Sequence, residues 1–344
     1  MGDGPDNHCH VWSIPDGQEI VTYRDHDNIV LATAVSPDGQ WVATGGGNNQ
    51  EIHLWSLREG HLKQRLRGVG ASIFVVGFSS DGKTLAWGKT DVGSSNAQRE
   101  PFEYRLTLPK AVNAFLAVPR QITNGENQFI RAQDVYGDWA LRTRQGGNYG
   151  YKNAILDIRH HDTVASIERG STEGYAHLSY TFTPNGQHII SGGGNGVLTA
   201  YNREGEKLGD YVGHTGDVLA VAVSPSGQLL VSGSADQTVR LWDVDSRENL
   251  VTLFQGHNRE WVAWTPSGHY IASPKGDKMV GWQINRGVDK AADYVKAAQL
   301  AKQLNRPDIV ADTVRLGSVN QALEKAGLTD FSLEQLIGEF LTTD

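Results

Sequence analysis

One short turn, recurring along a chain of 344 residues, limits what this sequence can fold into more than any other feature. It reads Ser36-Pro37-Asp38-Gly39, Ser79-Ser80-Asp81-Gly82, Thr183-Pro184-Asn185-Gly186, Ser224-Pro225-Ser226-Gly227 and Thr265-Pro266-Ser267-Gly268. The closing glycines lie 43, 104, 41 and 41 residues apart. The long gap accommodates two units of about 52 residues with one diverged turn, so six units are implied. An alternating apolar run precedes each turn, as in Val218-Leu219-Ala220-Val221-Ala222-Val223, and another follows, as in Leu229-Leu230-Val231. Alternation between turn signals, rich in β-branched residues, reads as strand, turn, strand. A third strand ends at Leu54-Trp55, Ala200-Tyr201, Leu241-Trp242 and Gly281-Trp282, and a fourth short one follows, as at Leu250-Val251-Thr252-Leu253-Phe254.

Four short strands in 41 to 43 residues make one propeller blade. The unit from Gly213 to Phe254 carries Gly213-His214, Ser232-Gly233-Ser234, Asp236 and Leu241-Trp242-Asp243 in order, and in this it resembles the WD-repeat (WD40) family. The resemblance implies a hydrogen-bonded tetrad of His214, Ser232, Asp236 and Trp242. In it Asp fixes the imidazole, the imidazole donates to the hydroxyl, and the hydroxyl accepts the indole N–H. A second tetrad is expected from His257, Ser273, Asp277 and Trp282, and a third from His26, Thr44, Asn49 and Trp55, with Asn in place of Asp. The unit at 177–212 keeps Ser191 and Asn195 but has Tyr201 for Trp and lacks the Gly-His entry. Residues 90–170 depart from the pattern, with polar insertions at 93–98 and 124–127; strands are still expected at 102–106, 139–142, 154–158 and 164–167. They read as one divergent blade plus the outer strands of its neighbour. The expected fold is an all-β, WD40-type β-propeller over 1–285, nominally seven-bladed with the first blade incomplete, followed by an α-helical extension over 286–344.

Both ends carry information. Aligning Trp12 with Trp55 sets His8, Cys9 and His10 on Glu51, Ile52 and His53, so the chain is expected to open inside a blade, as a truncated product or a late start would. After Gly287 the period becomes helical. Helices are expected at Val288–Leu304, at Pro307–Ala326 with Gly327 ending it, and after a Ser332/Gln335 capping box with Phe331 and Leu336 as a staple. The last helix carries Leu333, Leu336, Ile337, Phe340 and Leu341 on one face, which needs the propeller, another subunit or a missing downstream domain to cover it. The stretch from about 175 to 320, through residues such as Glu260-Trp261-Val262-Ala263-Trp264 and Arg306-Pro307-Asp308-Ile309-Val310, also resembles the closing part of propellers in bacterial proteins that join WD repeats to a caspase-like peptidase. That resemblance implies a regulatory or substrate-presenting module.

Composition narrows the function. With 31 Lys and Arg against 39 Asp and Glu the net charge is −8, which argues against nucleic acid or an anionic membrane as partner. One cysteine excludes an internal disulfide and a multi-cysteine zinc site. No apolar stretch or leader pattern points away from the cytoplasm. Cys9 aligns with a strand residue, so its side chain points to the opposite face from those of His8 and His10. Lys89-Thr90 after Gly88 lacks the spacing of a phosphate loop, with Lys83 where its first glycine belongs. The runs Gly45-Gly46-Gly47 and Gly192-Gly193-Gly194 read as turns. His160-His161 and His177 have no second ligand at a characteristic spacing, and structural roles are expected for them. No catalytic, cofactor-binding or metal-binding residue is expected. The inner strands at 29–35, 72–78, 177–182, 218–223 and 260–264 offer Glu260 as their main inward carboxylate. The reading is a non-enzymatic scaffold binding a protein or peptide on a propeller face, with a covalent neighbour domain in a larger bacterial protein. Its alternatives are the regulatory propeller of a caspase-like peptidase and an independent propeller hydrolase with a channel site.

Overall fold

All five recurring turns close in the same way. The glycine amide donates to the carbonyl three residues back at 2.8–2.9 Å, and each glycine takes a φ between 63° and 84°. Two short side chains satisfy the remaining amides. Ser36 Oγ accepts the Trp41 amide and Asp38 that of Gln40, both at 3.0 Å, and Ser79 with Asp81 and Thr183 with Asn185 repeat the arrangement. The motif is thus a self-contained hairpin device: small acceptors at the first and third positions, and a residue without Cβ where φ is positive.

The computed structural model describes residues 7–14, 16–27, 30–46, 51–91, 101–109, 116–122, 129–146, 150–285 and 292–343. Asn49, Gly47, Ile29, the polar insertions 93–98 and 124–127, and residues 288–291 of the expected helix lie outside them. The chain forms two compact units, Met1–Gly70 and Ala71–Asp344. In the first, Cys9–Trp12 pairs with Glu19–Tyr23, and Val30–Val35, Trp41–Gly46, Glu51–Ser56 and Leu62–Leu66 form an antiparallel meander. Trp55 is buried and stacked on Tyr23 at 4.6 Å, whereas Trp12 is 54% exposed, so the aligned tryptophans do different work.

The second unit holds the other sheets, all antiparallel. Val75–Ser79, Thr84–Gly88 and Tyr104–Thr107 are flanked by Arg120–Gln121 and, on the other edge, by Phe129–Ile130. The stretch 135–168 gives a four-stranded sheet of its own, Val135–Tyr136, Trp139–Gly146, Tyr151–His160 and Asp162–Glu168. Ser179–Phe182, His188–Gly192, Leu198–Asn202 and Lys207–Asp210 form the next. Val218–Val223 packs beside Ser179–Phe182, the first strand of the sheet before it in the chain, and also beside Val75–Ser79, whose sheet is separated from it in sequence by two others. Fully buried Phe78, Trp87, Ala222 and Val231 belong to the largest core cluster.

Two expectations fail here. Trp261–Trp264 does not open a new blade: it pairs with Asn249–Gln255, and Tyr270–Ala272 follows, so Val218–Ala272 is one six-stranded sheet. Residues 256–260 close a hairpin, with the Gly256 amide on Glu260 O at 2.9 Å, and this short link keeps the chain on the edge it has just built. Gly281–Ile284 then pairs with Asp293–Lys296, a strand where a helix was expected. Helix begins later, with a 3-10 turn at Ala297–Leu300 leading into α1 (Ala301–Leu304).

The expected second helix is two. α2 (Pro307–Leu316) ends at Gly317, whose φ of 69° caps it, and Ser318 starts α3 (Val319–Lys325). Val310 and Val314 of α2 sit in the main core beside Leu241 and Leu253, and the Val319 amide donates to Glu248 at 3.0 Å. α4 (Leu333–Thr343) lays its apolar face against Val262, Tyr270, Val295 and Leu304, which buries Ile337 and half-buries Leu333, Leu336, Phe340 and Leu341.

Gly227 has φ 79° and open space where a Cβ would point, its nearest contact at 3.9 Å. Gly227→Ala is therefore expected to cost about 1 kcal/mol of unfolding free energy by urea titration, from backbone strain alone.

Candidate functional site

A hydroxyl on the second strand of a sheet anchors each polar network. His214, in the loop before Val218–Val223, sets Nδ1 2.7 Å from Asp236 and Nε2 2.7 Å from Ser232 Oγ, and Trp242 Nε1 donates to Ser232 at 2.8 Å. Burial alone would raise the Asp236 pKa, but hydrogen bonds from His214 and Thr238 outweigh it and hold the carboxyl far below its usual range. Burial lowers that of His214 despite Asp236. A neutral imidazole that donates Nδ1–H to a carboxylate has only an acceptor left at Nε2. The Ser232 hydroxyl therefore donates to His214, the reverse of the direction expected from sequence.

In the first unit His26 Nε2 lies 2.8 Å from Thr44 Oγ1, and the Trp55 indole donates to Thr44 at 3.2 Å. Asn49 lies outside the described residues, among which His26 Nδ1 has no partner. His26 stacks on His53 at 3.9 Å, and His53 bridges Tyr23 and the buried Glu51, which also accepts from Arg67.

The tetrad expected from His257, Ser273, Asp277 and Trp282 is not formed. His257 is exposed in the 256–260 hairpin, Ser273 accepts the Trp261 amide at 2.9 Å and donates to Glu260, and Asp277 Oδ1 is buried without a partner. Trp282 pairs with Val295 in the two-stranded sheet. Joining Trp261–Trp264 to the preceding outer strand removed the loop that would have carried this histidine inward. For the same reason Glu260 stands at the far side of the six-stranded sheet from Val218–Val223.

Sequence reasoning missed a network at 169–191. His177 Nδ1 accepts from Ser191 Oγ at 2.7 Å and from Arg169 Nε at 3.2 Å, while Nε2–H donates to Ile167 O at 3.0 Å. Arg169 is buried and further donates to the carbonyls of Glu173 and Ser191. Burial and the adjacent guanidinium push His177 down to about 3. The available signal was the missing entry itself: Thr172 and Glu173 stand at the offsets from Ser191 that Gly213 and His214 have from Ser232, so the Ser191 hydroxyl needed another partner.

Beside this network a cavity of about 320 Å³ opens between the first strands, lined by Val76, Arg131, Asp134, His177, Ser179 and Val221 among others. Residues 131–134 run along Ser179–Phe182, with the Gln133 amide on Thr181 Oγ1 at 2.9 Å and the Phe182 amide on Gln133 O at 2.7 Å. Arg131 covers the Phe102 ring at 4.2 Å. The divergent stretch thus supplies both charges at this cavity, which periodicity alone gave no means of placing. Lys89 is buried where Thr84–Gly88 ends; its ammonium donates to Gln255 O, and burial lowers it to about 8. Cys9 is buried, which raises its thiol pKa. Of the histidines weighed as ligands, His177 is occupied, but His160 and His161 lie with Asp138 within ligand distance of one another, a proximity the sequence spacing did not reveal.

The family model described as "WD domain, G-beta repeat" matches residues 17–56 and 205–243. Two segments of the chain thus match WD40 repeats. The two matches contain the hydroxyls of Thr44 and Ser232 with their histidines and tryptophans, and each spans three strands plus the one before them. The Gallus gallus serine-threonine kinase receptor-associated protein is 25% identical over 237 residues, covering 67% of this chain and 59% of that protein. Mus musculus striatin-4 is 24% identical over 291 residues, covering 77% and 35%, and the Neurospora crassa small ribosomal subunit protein RACK1 is 26% identical over 120 residues, covering 35% and 38%. The chain spans between about a third and three fifths of the length of these relatives. Among the described residues no helix is long and apolar enough to cross a membrane.

Asp236→Ala leaves the His214 N–H buried without an acceptor and is expected to cost about 2 kcal/mol in urea titrations, whereas Asp277→Ala, which removes no hydrogen bond from the buried Oδ1, should change stability by less than about 0.5 kcal/mol. His177, its folded pKa depressed to about 3, contributes stability that is full above its unfolded value near 6.5 and is lost as pH falls toward 3. His269, lowered to about 4 by burial and Arg306, acts with the same sign. The urea midpoint should therefore fall between pH 7.5 and pH 5, and His177→Gln should remove about 2 kcal/mol of that decline.

Proposed function

We propose that this chain is a non-enzymatic WD40 β-propeller scaffold that holds a protein or peptide partner at the cavity between the first strands. Several blades lock a buried imidazole to a hydroxyl, which fixes the sheets and lowers the ordering cost of binding on their edges. The observation that carries the reading is the cavity itself: a polar and apolar lining, with Arg131 and Asp134 set on a segment buttressed by backbone bonds to Ser179–Phe182. WD40 proteins generally bind protein partners, and two of the relatives have names that record an assembly, one a receptor-associated protein and one a ribosomal subunit protein.

The finer reading is a nominally seven-bladed ring with an incomplete first blade, in the cytoplasm, serving as the regulatory or recognition part of a larger bacterial protein. Its support is the repeat spacing and the resemblance of roughly 175–320 to the closing part of peptidase-linked propellers.

The full chain, immobilised and exposed to a lysate of its source cells, should retain a defined partner. Arg131→Glu should weaken that capture by at least about tenfold, the loss expected of one interfacial charge reversed, while loss of its contact with the Phe102 ring costs only about 1 kcal/mol and leaves the chain folded. Equal capture by both proteins would place binding elsewhere, and no specific capture by the wild type would count against the scaffold.

A further inference from the structure

Adjacent strand residues point to opposite faces, so a His-His pair inside a strand cannot hold one ion. His160 and His161 escape that geometry because the strand ends there. His160 is paired with Asp162, and His161 alone forms the tip between them with φ 65°, a region that non-glycine residues occupy rarely and at a cost. The imidazoles consequently lie together, their centroids 4.9 Å apart.

A second turn brings a carboxylate to the same end of the sheet. His160 is the cross-strand partner of Trp139, and Asp138 precedes Trp139 in the turn after Gly137. One potential ligand atom from each of Asp138, His160 and His161 lies within 4.8 Å of the others. The Trp139 ring stacks on His160 at 4.8 Å and is covered by Arg203 at 4.6 Å, which restrains the His160 ring. All three side chains are exposed, and no hydrogen bond or ion pair holds any of them among the described residues.

We propose that Asp138, His160 and His161 form a binding site for one divalent transition-metal ion of the Zn²⁺ class. Two imidazole nitrogens and one carboxylate suit Zn²⁺, Ni²⁺ or Cu²⁺ better than the all-oxygen preference of Mg²⁺ or Ca²⁺. Tetrahedral binding needs ligand atoms roughly 3.3 Å apart, which rotamer adjustment of exposed side chains supplies from the observed spacing. Three protein donors leave a position open for water or for a donor from a partner. The adjoining recess of about 290 Å³ is lined by Arg142 and Arg159; Asp134 neutralises Arg142 at 2.7 Å, which limits repulsion of the ion.

The test is titration of Zn²⁺ into the metal-free full chain by calorimetry, with Co²⁺ visible absorption reporting the coordination. One equivalent should bind. Asp138→Asn and His161→Gly should each weaken it at least about tenfold, the scale of loss seen even for outer-shell partners. His161→Gly also relieves the positive φ, so its urea midpoint should be unchanged or raised, which separates lost binding from lost fold. His61→Ala and His257→Ala, at exposed histidines elsewhere, should leave the affinity unaltered. Absence of binding up to about 100 μM Zn²⁺, a threshold weaker than a specific site requires, would overturn the assignment, as would equal affinity in the Asp138 and His161 variants.

Discussion

A buried hydroxyl, held between an imidazole and its neighbours, is the interaction on which the repeat depends. Ser232 lies on the second strand of its sheet, Trp242 on the third and His214 in the loop entering the first, so one oxygen ties three successive pieces of chain together. Each neutral hydrogen bond contributes only about 1 kcal/mol net, but leaving any buried partner unpaired costs about 1–3 kcal/mol. The network therefore specifies register more than it adds stability. Thr44 performs the same task in the first unit, and Ser191 does so with Arg169 beside His177 where the motif has no tryptophan.

The failure at 257–282 shows what the network requires. All four residue types stand at nearly the right offsets, yet they do not meet. Strand pairing decided the matter: Trp261–Trp264 hydrogen-bonds with the outer strand just before it, and the His257 loop becomes a solvent-facing hairpin. A side-chain network forms only after the backbone has chosen its partners, and sequence offsets carry no information about that choice. The apolar faces of α2 and α4 then pack on the enlarged sheet and its two-stranded neighbour, so helices cover part of what a strand-only pattern left open.

Function follows a similar division between regular and irregular parts. The repeating strands make a stiff frame, while the charges facing the cavity and the paired histidines at a sheet end come from the divergent stretch. Loops and departures from period are where binding groups are free to vary, since they are not needed for packing.

The sequence by itself determined the hairpin turns, because their hydrogen bonds lie within five residues and the glycine follows from the sign of φ. It also determined the tetrad around Ser232, whose members sit in one unbroken unit, and the helix ends at Pro307 and Gly327. The break at Gly317-Ser318 was not read from the sequence, where one helix was expected over Pro307–Ala326, because the apolar period runs through it. Only the tertiary structure decided that Trp261–Trp264 extends an existing sheet, that Arg169 replaces a missing partner for His177, and that Asp138 meets His160 and His161. Those outcomes rest on which strand edge is free and on what lies across it, quantities set by the assembled sheets and absent from any local pattern.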